Sequence, residues 1–148
     1  MIRVISFHCS DVHILIDAIS IIDNCIDDKQ CWLILDQFEV YGESKYLHSK
    51  GESVRIQSLR ELFIGAMPLF IKVQIYQAED IYDLNIHTKQ DFDHSHCSAI
   101  FLLYDCEHVE LHSKDDLLMQ NISKRLYDKK IEIEIQYHCQ REKMDVKS

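Results

Sequence analysis

At 148 residues, the chain has the usual length of one domain and can bury about two thirds of the surface that its unfolded form exposes. Hydrophobic residues make up 47% and charged residues 28%, which argues against disordered, coiled-coil and low-complexity proteins. The 16 basic and 25 acidic residues give a net charge of −9, whose field repels nucleic acid and anionic membranes, so neither is an expected partner.

The sequence also favours a cytoplasmic location. No stretch approaches the ~18 apolar residues of a membrane span, and residues 1–5 lack the order of a signal peptide. Without an export signal, the six cysteines are expected to be free thiols, as in a reducing compartment. They are Cys9, Cys25, Cys31, Cys97, Cys106 and Cys139.

The first third of the chain predicts a strand, a long helix and further strand structure. Residues 2–9 are rich in β-branched and aromatic types, and Asp11 is a typical helix start before apolar residues that recur at helical spacing as far as Ile26. Residues 31–41 predict either one bent strand or a hairpin. Residues 42–53 hold two of the three glycines and several serines, which predicts a mobile loop.

The middle of the chain predicts a short helix followed by a strand. Ser58 and Glu61 have the spacing of a capping box, in which the Ser58 side chain accepts from a helix N–H and Glu61 reaches back, so a helix should begin at Leu59. Residues 69–76 alternate with a period of two, which predicts a strand with one face more buried.

Residues 79–93 are acidic and irregular, with a short helix as an option over residues 88–91. The unbroken apolar run 99–104 is typical of a central strand, and residues 105–107 would be the turn to a second strand over residues 108–112. The next segment, 113–116, predicts the cap of a second long helix. Alternation over residues 131–137 predicts a final strand with one solvated face.

Together these elements predict an α+β domain over residues 1–139, with a mixed, mainly antiparallel sheet of about five to seven strands. Two long helices, one N-terminal and one near the C-terminus, and one or two short helices would accompany the sheet. Residues 140–148 are charged and are expected to form a frayed tail.

Short patterns spread over most of the chain match one family in the right order. They are Cys31-Trp32-Leu33-Ile34, then Gln90-Asp91-Phe92 with Ser95 and Cys97, then Leu102-Leu103-Tyr104-Asp105-Cys106-Glu107 with Val109-Glu110, then Ser113-Lys114-Asp115, and Met144-Asp145-Val146. On these residues the chain resembles a bacterial family known as domain of unknown function number twenty-six ninety-one. Residues 12–26 are more apolar than that family would suggest. The resemblance implies a compact α+β fold and brings no catalytic residue.

A polar cluster at residues 91–97 offers weak candidates for a metal site. Asp91, His94 and His96 carry oxygen and nitrogen ligands, and Cys97 follows them. However, His94 and His96 in an extended segment would point to opposite sides. The alternative interpretation is a polar loop before a buried strand, with Cys97 packed at its start.

Two further groupings suggest enzyme chemistry. Residues 105–108 place a thiol, an imidazole and two carboxylates together, the components of an activated cysteine nucleophile, although they equally suit a hairpin turn. The second grouping is a His/Glu sheet face, which would form if the strands concerned are neighbours, but which is more often a solvated surface. Its members are His8, His108, His112, His138, Glu110, Glu132 and Glu134.

Glycine-rich phosphate loops, the GxSxG and HExxH motifs and CxxC pairs are missing from the sequence, so no cofactor is expected. The net charge and the acidic, aromatic stretch favour a non-catalytic module that binds a basic protein, as an immunity protein, an antitoxin or a regulatory subunit does. The alternative is a metal- or thiol-dependent enzyme. The residues expected to bind the partner are Tyr76, Glu79, Asp80, Tyr82 and Asp83.

Overall fold

A computed structural model describes residues 1–42, 53–77, 82–83 and 85–137. Its elements, in chain order, are β1 (Ile2–His8), α1 (Val12–Asp27), β2 (Trp32–Gly42), β3 (Val54–Ile56), a 3₁₀ helix (Arg60–Phe63), β4 (Ala66–Tyr76), α2 (Lys89–His94), β5 (Ala99–Tyr104), β6 (His108–Ser113), α3 (Asp116–Asp128) and β7 (Glu134–Tyr137). Among these, no helix is both long and apolar enough to cross a membrane.

The seven described strands form one sheet with the order β3-β2-β4-β5-β6-β1-β7. Every pairing between them is antiparallel. The predicted α+β class is therefore confirmed, with the strand number at the upper end of the expected range. The two long helices are α1 and α3, and the short ones are α2 and the 3₁₀ helix.

Helices α1 and α3 pack on one face of the sheet, which we call the helix face. Alternate residues of the central strands point into this layer because side chains along a strand alternate between its two faces. The fully buried side chains there include Ile5, Ile19, Ile22, Ile71, Val73, Phe101, Leu111, Ile122 and Leu126. The main core therefore lies between the helices and the sheet.

Aspartates cap both long helices, as the sequence predicts. The Asp11 carboxylate accepts a hydrogen bond from the N–H of His13 at 2.8 Å, and the Asp115 carboxylate accepts one from the N–H of Leu118 at 3.0 Å. These acceptors satisfy N–H groups that the first turn of a helix leaves without a partner.

The short helix after β3 forms as a 3₁₀ helix, but the predicted role of Ser58 is wrong. Glu61 reaches back as expected and accepts from the N–H of Ser58 at 2.9 Å. The acceptor at the start of the helix is instead Asp23 of α1, whose carboxylate oxygens lie 2.7 Å from the N of Leu59 and 3.0 Å from the N of Arg60. This buried aspartate ties the 3₁₀ helix to α1.

Two strands differ from their predicted form. The segment that allowed a bent strand or a hairpin is a single strand, β2, bent by irregularities after Leu35 and after Glu39. The final strand is shorter than predicted and covers only Glu134–Tyr137. It starts later than predicted because the chain after α3 still folds back onto that helix. There, the Ile131 N–H donates to the Leu126 carbonyl at 3.1 Å.

The predicted mobile loop and the predicted frayed tail lie outside the described residues, apart from the loop's two ends at Gly42 and Ser53.

Candidate functional site

The second face of the sheet is partly covered by residues 82–83 and 85–98, and we call it the loop face. Ile86 and Phe92 of this segment pack against Ile34, Tyr76 and Ile100 of the sheet to form a small second core. Strand β4 is buried on both sides from residue 71 onward, where the sequence predicts one face more buried than the other. The long-range cover explains the difference, because alternation alone does not reveal what packs on the polar side.

A chain of polar contacts joins the covering segment to the loop face. The Tyr76 hydroxyl donates to the Gln74 side-chain oxygen at 2.6 Å and accepts from the N–H of Asp83 at 2.7 Å. The Gln74 amide donates to Asp36 at 3.2 Å, and the Lys72 ammonium lies 3.3 Å from the same carboxylate. Lys72 also donates to the carbonyl of Ile86. Tyr76 and Lys72 thus hold the segment in place, and Gln74 and Asp36 link these two groups on the sheet.

Tyr76, Tyr82 and Asp83 of the expected partner-binding stretch come together in the structure. Tyr82 is 36% exposed and packs edge-on against Tyr76, with ring centroids 5.0 Å apart. The Asp83 side chain is 40% exposed and accepts from the N–H of His96 at 2.8 Å. Tyr76 itself is buried, and burial raises its pKa, so its role is to support the other two. Glu79 and Asp80 lie outside the described residues.

Two of the three metal candidates, Asp91 and His96, are engaged in other contacts. Asp91 accepts from the N–H groups of His87 and Thr88 in the capping box of α2, and these bonds lower its pKa. The prediction of an extended segment is wrong for His94, which is the last residue of α2. His96 Nδ1 lies 3.5 Å from Asp83. In the described ranges, no three His, Cys, Asp or Glu side chains are grouped so that they could hold a metal ion.

Cys97 is packed at the start of β5, as the polar-loop interpretation has it. Its side chain is fully buried, and Sγ donates to the carbonyl of Ala99 at 3.0 Å. Burial raises the pKa of the Cys97 thiol to about 11. The thiol is therefore protonated at neutral pH and ill suited to ligating a metal.

Three of the four predicted histidines lie on the loop face, and two of them, His8 and His108, are in contact. β6 lies between β5 and β1, with Tyr104 opposite His108 and His108 opposite His8. The His108 ring stacks on Tyr104 at 5.2 Å and lies 4.5 Å from the His8 ring. His112 follows along β6, while His138 lies outside the described residues.

Glu110 lies in this histidine group as a hydrogen-bond acceptor. It accepts from the Tyr104 hydroxyl at 2.7 Å and lies 2.9 Å from His112 Nε2. The bonds from His112 and Tyr104 lower the pKa of Glu110, and the bond to Glu110 raises the pKa of Tyr104 to about 12. A carboxylate stabilised in this way is a poor proton acceptor. Of the other predicted acids, Glu134 lies opposite Ser6 at the sheet edge and Glu132 precedes β7.

The Asp105–His108 segment forms the predicted hairpin turn. Asp105 and Cys106 have φ values of 54° and 64°, the left-handed conformations that a tight two-strand turn needs. Glu107 contacts His8 at 2.6 Å, and His108 contacts Tyr104 and His8. These imidazoles are engaged by neighbours other than Cys106, so the described contacts do not assemble a thiol–imidazole pair.

A cleft remains where the covering segment leaves the sheet. Its volume is about 430 Å³, and no Asp or Glu occurs among the described residues that line it. The lining residues are Gln37, Phe70, Lys72, Ile86, His87, Thr88, Lys89, Phe92, Ile100, Leu102 and His112. Sequence reasoning missed this site; its one signal is Lys72, a charged residue inside the strongly apolar strand β4.

No protein-family model, curated protein or solved structure matches the chain. The resemblance to the family of unknown function therefore stays a prediction.

Alkylation at neutral pH should distinguish the described thiols. Burial raises the pKa of Cys9, Cys25, Cys31 and Cys97, and all of these but Cys31 are buried, whereas Cys106 is half-buried at a hairpin turn. We expect iodoacetamide to label Cys106 before these four, as read by peptide mass mapping in a Cys139→Ser background. Labelling of Cys97 first would contradict the described packing. Labelling of Cys106 much faster than free cysteine would favour the thiol-dependent enzyme.

Proposed function

We propose that this chain is a non-catalytic binding module that engages a basic protein through the acidic and aromatic stretch from Tyr76 to Asp83. The observation that carries the proposal is the fixed presentation of Tyr82 and Asp83. Tyr82 packs on a buried tyrosine, and Asp83 is held at its N–H by Tyr76 and at its carboxylate by the N–H of His96. A surface fixed before binding pays less ordering entropy when a partner arrives.

Electrostatics supports a basic partner. The net charge of −9 accelerates encounters with positive surfaces, and an aromatic side chain beside acids is typical of an interface anchor. Some nearby acids are already used within the chain, since Asp93 pairs with Arg3 and Asp91 caps α2. Asp83 accepts from the His96 N–H but its side chain stays 40% exposed, so we propose it, with Glu79 and Asp80 beside it in the sequence, as the acids of the contact.

The contacts of the candidate catalytic groups support a non-catalytic protein. Glu110 accepts two hydrogen bonds, and the imidazoles near the hairpin turn contact Glu107, Tyr104 and each other. These contacts give the groups a structural role on the sheet face. We therefore propose that the chain acts as an immunity protein, an antitoxin or a regulatory subunit would. We also propose that it acts in the cytoplasm.

Affinity capture from the source cell tests the proposal. The variant carries Tyr82→Ala with Glu79→Gln, Asp80→Asn and Asp83→Asn, which removes the aromatic anchor and three charges. Its matched control carries Tyr127→Ala with Asp17→Asn, Asp27→Asn and Asp128→Asn, all at exposed helix positions. We expect one basic protein to be captured by the wild type and the control, to be lost with the variant, and to bind again when both proteins are purified.

Capture that is equal for the variant and the control would contradict the assigned surface. Metal analysis of the same purified sample addresses the enzyme alternative. A stoichiometric transition metal in a sample that captures no partner would reject the binding module in favour of the metal-dependent enzyme.

A further inference from the structure

We propose that the cleft on the loop face is a binding site for a small organic carboxylate with an aromatic or aliphatic body. This inference does not depend on the protein partner proposed above, because the cleft and the Tyr82–Asp83 surface share no residue. Its volume of about 430 Å³ lies within the ~300–1,000 Å³ that is usual for small-molecule sites.

The walls of the cleft suit an apolar body. Ile100 and Leu102 of β5 form part of its floor, and Phe70 of β4 lies beside them on the same face. Phe92 and Ile86 contribute from the covering segment. Because apolar side chains come from both the sheet and its cover, a flat ring or branched chain between them would lose water contact on two sides.

The ionisable groups of the lining indicate an anion. The charged ones are two lysines, Lys72 and Lys89, in a chain whose acids outnumber its bases by 25 to 16. His87 and His112 add ring nitrogens, and His112 Nε2 lies 2.9 Å from Glu110. A concave surface that carries charges of one sign concentrates ligands of the opposite sign. The cleft thus differs in character from the acidic chain that surrounds it.

Lys72 provides a fixed donor for the carboxylate. Its side chain is 11% exposed and is held by Asp36 at 3.3 Å and by the Ile86 carbonyl. An ammonium has three N–H groups, so with these two acceptors among the described residues one N–H is left for a ligand oxygen. Asp36 also offsets much of the positive charge, which suits a singly charged carboxylate better than a doubly charged phosphate.

Amide chemical-shift titration of the ¹⁵N-labelled chain tests the site. The probes are phenylacetate, its neutral analogue phenylacetamide, and inorganic phosphate. We expect phenylacetate to shift the amides of residues 86–92 and 100–102 saturably, and both other probes to bind roughly tenfold more weakly, as loss of a charge-assisted hydrogen bond implies. Equal binding of phenylacetamide would overturn the carboxylate assignment. No saturable shift at about 5 mM phenylacetate would overturn the site.

Two variants with matched controls locate the binding. Leu102→Trp fills the cleft, and its control Leu117→Trp changes an exposed leucine of α3. His87→Glu puts a negative charge at the exposed rim without touching the floor, and its control is His13→Glu at an exposed position of α1. We expect both cleft variants to weaken phenylacetate binding by roughly tenfold or more and both controls to bind as the wild type. Unchanged binding by a folded His87→Glu protein would overturn the location.

Discussion

Replacing Asp23 with alanine is expected to lower the free energy of unfolding by about 3 kcal/mol, since unsatisfied buried donors cost ~1–3 kcal/mol each. Asp23 is 2% exposed and accepts from the backbone N–H groups of Leu59 and Arg60. Its ion pair with the Arg60 side chain adds less, because that side chain is 46% exposed. Urea unfolding measures the loss. Asp17→Ala, on the exposed side of the same helix, should change stability by less than about 0.5 kcal/mol.

The same aspartate predicts a dependence on pH. Burial raises the pKa of Asp23 more than its hydrogen bonds to Leu59 and Arg60 lower it. The folded state therefore holds the proton more tightly than the unfolded state, and this contribution to stability is present at low pH and lost as pH rises through the raised pKa. Compared with Asp23→Asn, the wild type should be relatively more stable at about pH 4 than at about pH 7. The opposite trend would contradict the burial of this carboxylate.

Replacing Lys72 with leucine is the second change with a large expected effect, again about 3 kcal/mol, because it leaves a mostly buried carboxylate without its cation. The side chains of Lys72 and Asp36 are 11% and 16% exposed, and Lys72 also binds the Ile86 carbonyl. Faster hydrogen exchange should therefore appear in residues 85–98, beyond the global loss measured in urea.

A double variant separates the ion pair from simple packing. Lys72→Leu with Asp36→Leu removes both charges, and we expect it to recover most of the stability lost by Lys72→Leu alone. Lys124→Leu, at an exposed position of α3, should leave stability within about 0.5 kcal/mol of the wild type. If the double variant loses as much stability as the two single variants, Lys72→Leu and Asp36→Leu, lose when their losses are added, Lys72 and Asp36 act independently.

Local patterns predict much of this fold. Alternation identifies β4 and β6, the apolar run 99–104 identifies β5, and Asp11 and Asp115 mark the helix starts. Each of these signals depends on residues within a few positions of each other, so no knowledge of the tertiary structure is needed.

The interactions that join distant segments are not predictable in this way. Asp23 looks like an interruption of an apolar helix, and its partners Leu59 and Arg60 lie 36 and 37 residues away. Lys72 belongs to the face of its strand that the sequence predicts to be less buried, and only the covering segment shows that this face is buried as well. The cleft arises from the same cover, so its lining comes from five separate parts of the chain.

The group of histidines shows an intermediate case. Their positions opposite apolar residues place them on one face of each strand, but only the order β5-β6-β1 brings His8, His108 and Tyr104 together. The strand order is a property of the whole sheet, and the sequence alone left it open.

Calorimetric titration of the captured basic protein into the purified chain tests the central claim, that the chain is a binding module with a fixed acidic and aromatic contact. The titration is run at about 50 and about 300 mM salt, since salt shortens the range over which opposite charges attract each other. We predict that higher salt weakens the wild-type affinity by roughly tenfold or more, and that the variant at Glu79, Asp80, Tyr82 and Asp83 binds weakly at both. Affinity that neither salt nor that variant changes would contradict the claim.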